Sequence, residues 1–281
     1  RPKVPIKEAA REFGWERARE LEKYAFTREW RIFVPDFAIE VWRRIRKDPV
    51  AVGQQEYALV FRGTAGYGGW FSNLRPITAL LPGFWDHYKQ AEASARRIVE
   101  QIYMIEFLRY EWQLGQARAG VGPPPRSDAI ELPLITMVGH SLGAGLARYA
   151  YLRVPEATRV VGFNPSPVDG GHTLFPLAAR ERFTQGRRQD PGEFCVAPGT
   201  PLPIESPSMF FLHEKGDALT EIAPCFSGPE WGSEGGPVAL CQGVDLSHGS
   251  ALRQHAMNIM ACRLSVRYFK DKKGSAFARQ P

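Results

Sequence analysis

The sequence predicts an α/β protein, with a largely parallel sheet flanked by helices and an N-terminal helical extension. Apolar runs at residues 57–61, 134–138 and 159–163 alternate with segments of helical spacing, an order typical of parallel sheets covered on both faces. The 281 residues are 44% hydrophobic and 23% charged, which excludes a disordered or fibrous chain. No run of 18 apolar residues occurs, so we expect no membrane-spanning helix.

We divide the chain into the helical extension, residues 1–49, and an α/β domain, residues 50–281. Helical spacing extends over residues 6–48, with Asp36 as a helix cap and Asp48-Pro49 as the end. The apolar positions that fall on one helical face there are Phe37, Ala38, Val41, Trp42 and Ile45.

The α/β domain begins with the strand at 57–61 and continues with a long helix over 85–112. The proline-rich segment 115–128 is predicted to be a linker. The remaining predictions are strands at 134–138, 159–163 and 209–212, helices at 144–153 and 251–270, and long excursions at 166–207 and 224–249.

Charge and cysteine content constrain partners and compartment only weakly. The 36 Lys and Arg against 30 Asp and Glu give a net charge of +6, which favours transient contact with anionic membrane surfaces. The alternative is that this charge serves only to keep the protein soluble. We expect no nucleic-acid partner. The four cysteines form no CxxC pair, which argues against zinc. Cys225 and Cys241 enclose a short loop, so we predict a disulfide and an extracytoplasmic setting, with buried thiols as the alternative. The chain opens on Arg1, which we interpret as processing.

Gly139-His140-Ser141-Leu142-Gly143 fits the G-x-S-x-G pattern of a nucleophile elbow. Ser141 directly follows an apolar strand and precedes a helix-like stretch, which is the setting that an elbow requires. The amide of Leu142, the residue after the serine, is then one oxyanion donor. The alternative is a glycine-rich turn in which Ser141 only caps the helix.

A second group of motifs accompanies the elbow. Phe61-Arg62-Gly63-Thr64 follows a strand, Trp70 and Asn73-Leu74 come next, and Gly83-Phe84 opens the long helix. In this order and spacing, together with Gly-His-Ser-Leu-Gly, the sequence resembles the class 3, fungal-type lipases of the α/β-hydrolase superfamily over roughly residues 50–270.

The resemblance implies an α/β-hydrolase-type sheet and assigns roles to residues. Thr64 supplies the second oxyanion donor, Asp217 is the triad acid, and His255, just ahead of a C-terminal apolar helix, is the base. Chain order agrees, because the acid and histidine follow the serine in this superfamily. The rival carboxylates, which we interpret as solvated loop residues, are Asp245, Asp169 and Glu214.

The base remains a choice between two histidines. His87 and His172 precede Asp217, His140 lies inside the elbow, and His213 falls within the predicted strand. His248, in a Ser-His-Gly loop, stays open as the runner-up to His255.

These patterns predict a serine ester hydrolase acting on lipids, of lipase or phospholipase A type, that needs no metal or cofactor. The alternatives are a membrane-degrading toxic effector with the same chemistry and a non-catalytic binding module.

Two features depart from the family. Asn164-Pro165-Ser166-Pro167 replaces its Gly-small-Pro-Arg, and residues 166–207 look like an insertion. The apolar segment 76–82 lies where the family carries a lid, and a buried loop is the equal alternative.

Overall fold

The structure, a computed structural model, describes residues 11, 13–25, 37–45, 55–63, 87–122, 133–165, 209–214 and 239–244. Ten elements follow one another along this part of the chain: β1 (Glu16–Arg17), α1 (Arg19–Glu22), β2 (Ile39–Ile45), β3 (Gln55–Phe61), α2 (His87–Arg118), β4 (Leu134–His140), α3 (Leu142–Arg153), β5 (Arg159–Phe163), β6 (Met209–Glu214) and β7 (Ala239–Val244). None of the helices described is long and apolar enough to cross a membrane.

The seven strands form one mixed sheet whose spatial order equals their order along the chain. The pairs β1–β2 and β2–β3 are antiparallel. The four pairs from β3–β4 to β6–β7 are parallel. Crossovers of one hand put consecutive helices on one face of such a sheet. On that face Tyr88 of α2 meets Tyr149 of α3 edge-on, with ring centroids 5.5 Å apart. The α/β class and the largely parallel sheet are therefore confirmed.

Burial explains why the central strands contain apolar runs instead of an alternating pattern. In β3 every side chain from Glu56 to Leu59 is buried, as are Ile135 and Met137 of β4. Successive side chains of a strand point to opposite faces, so both sides of these strands contribute to the core. All four strands predicted within the α/β domain are present, with ends that differ by up to two residues.

The two long helices bury different amounts of their surface. α3 is buried continuously from Leu142 to Tyr151, as a helix in the core of a domain must be. α2 buries one stripe, and its last buried side chain is Ile102, although the helix continues to Arg118. Its C-terminal part therefore extends beyond the packed core and runs into the segment that was predicted to be a linker.

The predicted N-terminal helical extension agrees with the structure at the short helix α1 (Arg19–Glu22) and is wrong over residues 39–45. Residues 39–45 form a strand that pairs along its whole length with β3, from Ile39 opposite Phe61 to Ile45 opposite Gln55. The side chains of Ile39 and Val41 are buried and Glu40 between them is not, which is the two-residue period of a strand. The apolar positions fit a helical period as well, and pairing with the edge of β3 decides between the two.

Two arginines of β2, Arg43 and Arg44, are held in ion pairs. Arg43 Nε lies 2.6 Å from Glu16 and Arg43 Nη1 lies 2.8 Å from Glu20, while Arg44 Nε lies 2.7 Å from Glu56. These pairs join β1, α1 and β3 to β2. Arg43 and Arg44 are therefore neutralised by neighbouring carboxylates.

The strand β7 lies inside a segment that was predicted to be an excursion from the sheet. Its sequence contains Gln242 and Gly243, so it lacks the β-branched run that marks β3 and β4. Cys241 belongs to β7, whereas Cys225 lies outside the described residues, and the disulfide stays a prediction. The segments 76–82, 166–207 and 251–270 also lie outside the described residues, so what was expected of them stays a prediction.

Candidate active site

Ser141 occupies the junction between β4 and α3 in a conformation that serine rarely adopts. Its backbone angles are φ 56° and ψ −125°, and it is one of two non-glycine residues with positive φ in the described part of the chain. Such a conformation costs on the order of 1–3 kcal/mol and persists only where the surroundings impose it. The Ser141 amide donates to the Phe163 carbonyl at 3.0 Å, and the Ser141 carbonyl accepts from the Ala144 amide at 3.0 Å. The turn is thus fixed from both sides.

The glycines of the motif are required by the close approach of backbone to backbone. A β-carbon on Gly139 would overlap the carbonyl oxygen of Gly143, and one on Gly143 would overlap the carbonyl oxygen of Phe61. Any larger residue at either position would push β4, α3 and β3 apart. The sequence pattern therefore reports a real steric constraint in this fold.

The capping interpretation of Ser141 does not fit the geometry. A capping serine typically has β-region backbone angles and accepts a hydrogen bond from the helix through its side chain. Ser141 has positive φ and makes no side-chain capping bond to α3. Its side chain is half-buried at the carboxyl edge of the sheet.

One backbone donor for a developing negative charge lies next to the serine, and the end of the β3 segment approaches it from the other side. Leu142 begins α3, so its amide is among the N–H groups that have no acceptor within the helix. On the other side, a β-carbon on Gly63 would lie 2.8 Å from the His140 carbonyl oxygen and 3.7 Å from the β-carbon of Ser141. Thr64 follows Gly63 directly but lies outside the described residues, so its role as a donor stays a prediction.

The predicted acid and base also lie beyond the described residues. Asp217 follows the end of β6 at Glu214, while His248 and His255 follow the end of β7 at Val244. Because β4, β6 and β7 all run in the same direction, these chain segments leave the sheet at the same edge as Ser141. The roles of Asp217, His248 and His255 therefore stay predictions.

Three of the four histidines that were set aside have the positions expected of them, and His172 lies outside the described residues. His140 ends β4 opposite Phe163, and His213 lies within β6. His87 begins α2 and is buried, with its ring centroid 6.1 Å from that of Phe37. Within the described residues, no group of three or more His, Cys, Asp or Glu side chains is arranged to hold a metal ion.

Asn164 is a site residue that sequence analysis noted only as a departure from the family. Phe163 pairs with His140, so Asn164 and Ser141 are the next residues along adjacent parallel strands. Asn164 has φ 41°, is fully buried, and donates its amide to the Leu212 carbonyl at 2.8 Å. Asparagine tolerates this conformation better than most side chains. The two non-glycine residues with positive φ in the described part of the chain, Ser141 and Asn164, therefore lie side by side at the carboxyl edge of the sheet.

Arg148 is a buried cation on the helix that begins at the elbow. It is 1% exposed and lies two turns, or about 10 Å, along α3 from Ser141. Desolvation lowers the pKa of Arg148 to about 9, opposed by the electrostatic effect of Tyr88. The guanidinium stays charged at neutral pH. No local pattern distinguishes Arg148 in the sequence, so this group was missed.

A scan of the sequence against protein-family models and a search of curated proteins both give no match. The fold is a mostly parallel mixed sheet flanked by helices, with a strained serine at the carboxyl end of a parallel strand.

Proposed function

We propose that this chain is a serine carboxylic-ester hydrolase of the α/β-hydrolase type that acts on lipids, as a lipase or a phospholipase A. One observation carries the proposal: Ser141 is held at φ 56° between a parallel strand and a buried helix, in a turn that has no room for a β-carbon at Gly139 or Gly143. Strain of this kind has no structural benefit in an ordinary turn, and it is typical of a nucleophile lifted out of the sheet.

The proposed chemistry passes through an acyl-serine. The Ser141 oxygen attacks the ester carbonyl carbon while an imidazole takes the hydroxyl proton, and the oxyanion is held by the amides of Leu142 and Thr64. The ester C–O bond breaks, and the alcohol leaves with that proton. Water, deprotonated by the same imidazole, then attacks the acyl carbon. The bond between this carbon and the Ser141 oxygen breaks, the serine oxygen takes the proton back from the imidazole, and the carboxylic acid is released.

The proposed base is His255, with His248 as runner-up, and Asp217 orients it. Neighbouring strands lie about 4.8 Å apart, so the end of β7 is about 14 Å from the end of β4 along the edge. His248 is four positions after Val244 and His255 is eleven positions after it. Extended chain covers up to about 3.4 Å per residue, which is about 14 Å for His248 and about 37 Å for His255, so both can approach Ser141, but His248 only through fully extended chain. The family resemblance is what favours His255.

Lipid esters are the proposed substrates because the family that the motifs resemble acts on them. The direct experiment supplies purified protein with mixed vesicles and emulsions containing triacylglycerol and phosphatidylcholine, and measures released fatty acid and lysolipid by mass spectrometry. We expect release that disappears in Ser141→Ala. Activity on soluble short-chain esters alone would retain the hydrolase and remove the lipid assignment, whereas equal release by Ser141→Ala would remove both.

A membrane-degrading toxic role is the second candidate and shares this chemistry. A non-catalytic binding module is the third, and the strained backbone of Ser141 argues against it, because a binding surface has no need of that conformation.

A further inference from the structure

The C-terminal half of α2 carries an exposed apolar face. Four large side chains beyond Ile102 are each more than half exposed: Met104 at 54%, Phe107 at 53%, Leu108 at 58% and Trp112 at 66%. Their spacing of three, four and eight residues from Met104 puts them on one side of the helix.

This face points away from the sheet. Glu106 accepts a hydrogen bond of 2.5 Å from the hydroxyl of Tyr57 in β3, so the Glu106 side of α2 faces the sheet. At 100° per residue, Glu106 lies about 160° around the helix from Met104. The apolar face is also remote from the elbow, because α2 runs towards the amino edge of the sheet and Ser141 lies at the carboxyl edge.

The size of the face matches that of the largest apolar patch on a typical folded chain, which is often functional. A large side chain offers roughly 200 Å², so four that are half exposed present about 450 Å² of nearly contiguous surface. Patches of this size on a folded chain usually mark a place where something binds.

We propose that this face binds the same face of a second copy of the chain, in an antiparallel two-fold pair of α2 helices. Glu100 and Arg118 are both exposed and stand 18 residues, or five whole turns, apart on the same side of the helix. Both are nine residues from Arg109. An antiparallel pair centred at that level places Glu100 of each protomer opposite Arg118 of the other, whereas a parallel pair would oppose like charges.

The charge of the segment argues for a protein partner over a lipid surface. Residues 100–118 contain three glutamates and two arginines. A helix that lies on an anionic membrane is instead rich in Lys and Arg beside its apolar face. Pairing of two copies buries about 900 Å² in total, below the 1,200 Å² of a standard interface, so the dimer is weak and depends on concentration.

Sedimentation equilibrium of the full chain at low salt, over about 1–500 µM, tests this proposal. We expect a monomer–dimer equilibrium that Trp112→Ser weakens about tenfold or more. Val121→Ser is the matched control, because Val121 is 73% exposed but lies past the end of α2, and its dimerisation should equal that of the parent.

Charge reversal tests the antiparallel geometry. Glu100→Arg and Arg118→Glu should each weaken the dimer by about fivefold, and the double variant should restore it to within about twofold. All these positions are exposed, so the variants should keep the parental circular dichroism spectrum.

A monomer at every concentration would overturn the proposal, as would a dimer that Trp112→Ser leaves unchanged. Failure of the double variant to restore affinity would overturn the antiparallel arrangement. A monomer that sediments with vesicles of phosphatidylcholine and phosphatidylglycerol, with this binding lost in Trp112→Ser, would assign the face to lipid instead. Ser141→Ala should dimerise like the parent, so the outcome is independent of the proposed enzyme activity.

Discussion

Gly143 of α3 packs directly against the carbonyl oxygen of Phe61 at the end of β3, so closely that a β-carbon on Gly143 would overlap that oxygen. The contact joins the two segments that carry the proposed oxyanion donors, because Leu142 precedes Gly143 and Thr64 follows the Phe61-Arg62-Gly63 segment. The distance between these segments therefore depends on the absence of one side chain.

Gly143→Ala should lower both stability and ester hydrolysis. Neither atom in the clash belongs to a flexible side chain, so α3 must shift, at a cost of about 1–3 kcal/mol in the free energy of unfolding. Urea unfolding and hydrolysis rates measure the two effects. Gly115→Ala is the matched control, since a β-carbon there meets nothing within 4 Å, and this helical position should gain about 0.5–1 kcal/mol. Equal stability of the two variants would show that the elbow is looser than described.

Ser141→Gly should be more stable than Ser141→Ala, although both should be inactive. Glycine adopts φ 56° without the steric cost that alanine retains, and this advantage exceeds the greater unfolded-state entropy of glycine. We expect a difference of about 1 kcal/mol in urea unfolding. An alanine variant that is as stable as the glycine variant would mean that Ser141 is not strained.

Sequence analysis could predict the parts of the fold that local chemistry determines. The strands β3 and β4 are apolar runs because side chains on both of their faces are buried, and the elbow glycines are visible because their spacing reflects a steric need. β2 could not be assigned in this way, since Phe37, Val41 and Trp42 satisfy a helical period while Ile39 and Val41 satisfy a strand. Pairing with a distant segment decides such cases, and no local pattern contains it.

The same distinction between local and long-range determinants applies to the residues of the candidate site. Ser141 and Leu142 belong to one contiguous motif whose geometry follows from a strand, a tight turn and a helix. The position of Asn164 beside Ser141 could not be predicted from the sequence, because it depends on the register in which β4 pairs with β5. Asp217, His248 and His255 come from distant loops, where chain order and resemblance are the available guides.

Tyr57 should make stability fall at alkaline pH. Burial raises its pKa above the usual value of 10, and the hydrogen bond to Glu106 and the charge of Glu106 add to this. A raised pKa in the folded state means that the stabilisation is complete below pH 10 and is lost as pH rises above it, by up to about 1.4 kcal/mol per pH unit. Urea unfolding between pH 8 and about 11.5 should therefore show a steeper decline for the parent than for Tyr57→Phe.

Glu106→Gln is the control for this titration, because it removes a carboxylate that favours the protonated phenol and keeps the side-chain size. It should make the decline less steep than in the parent. A parent and a Tyr57→Phe variant with the same pH dependence would contradict the assignment.

His255→Ala should reduce turnover as severely as Ser141→Ala, by about 10⁴-fold or more, because a triad acts as a unit. His248→Ala should retain measurable turnover. Steady-state rates on a soluble ester, with the parental urea midpoint as a check on folding, distinguish the two. The opposite ranking would move the base to His248 and leave Ser141 in its role.

Covalent labelling of Ser141 tests the central claim most directly. A fluorophosphonate reacts with a serine only when a base and an oxyanion hole activate it. Incubation of the purified chain with this probe, followed by tryptic mass spectrometry, should show one adduct, located on Ser141, that is lost on prior unfolding in urea and in Ser141→Ala. A folded protein whose Ser141 remains unlabelled would contradict the account and make the strained turn a structural feature of a non-catalytic chain.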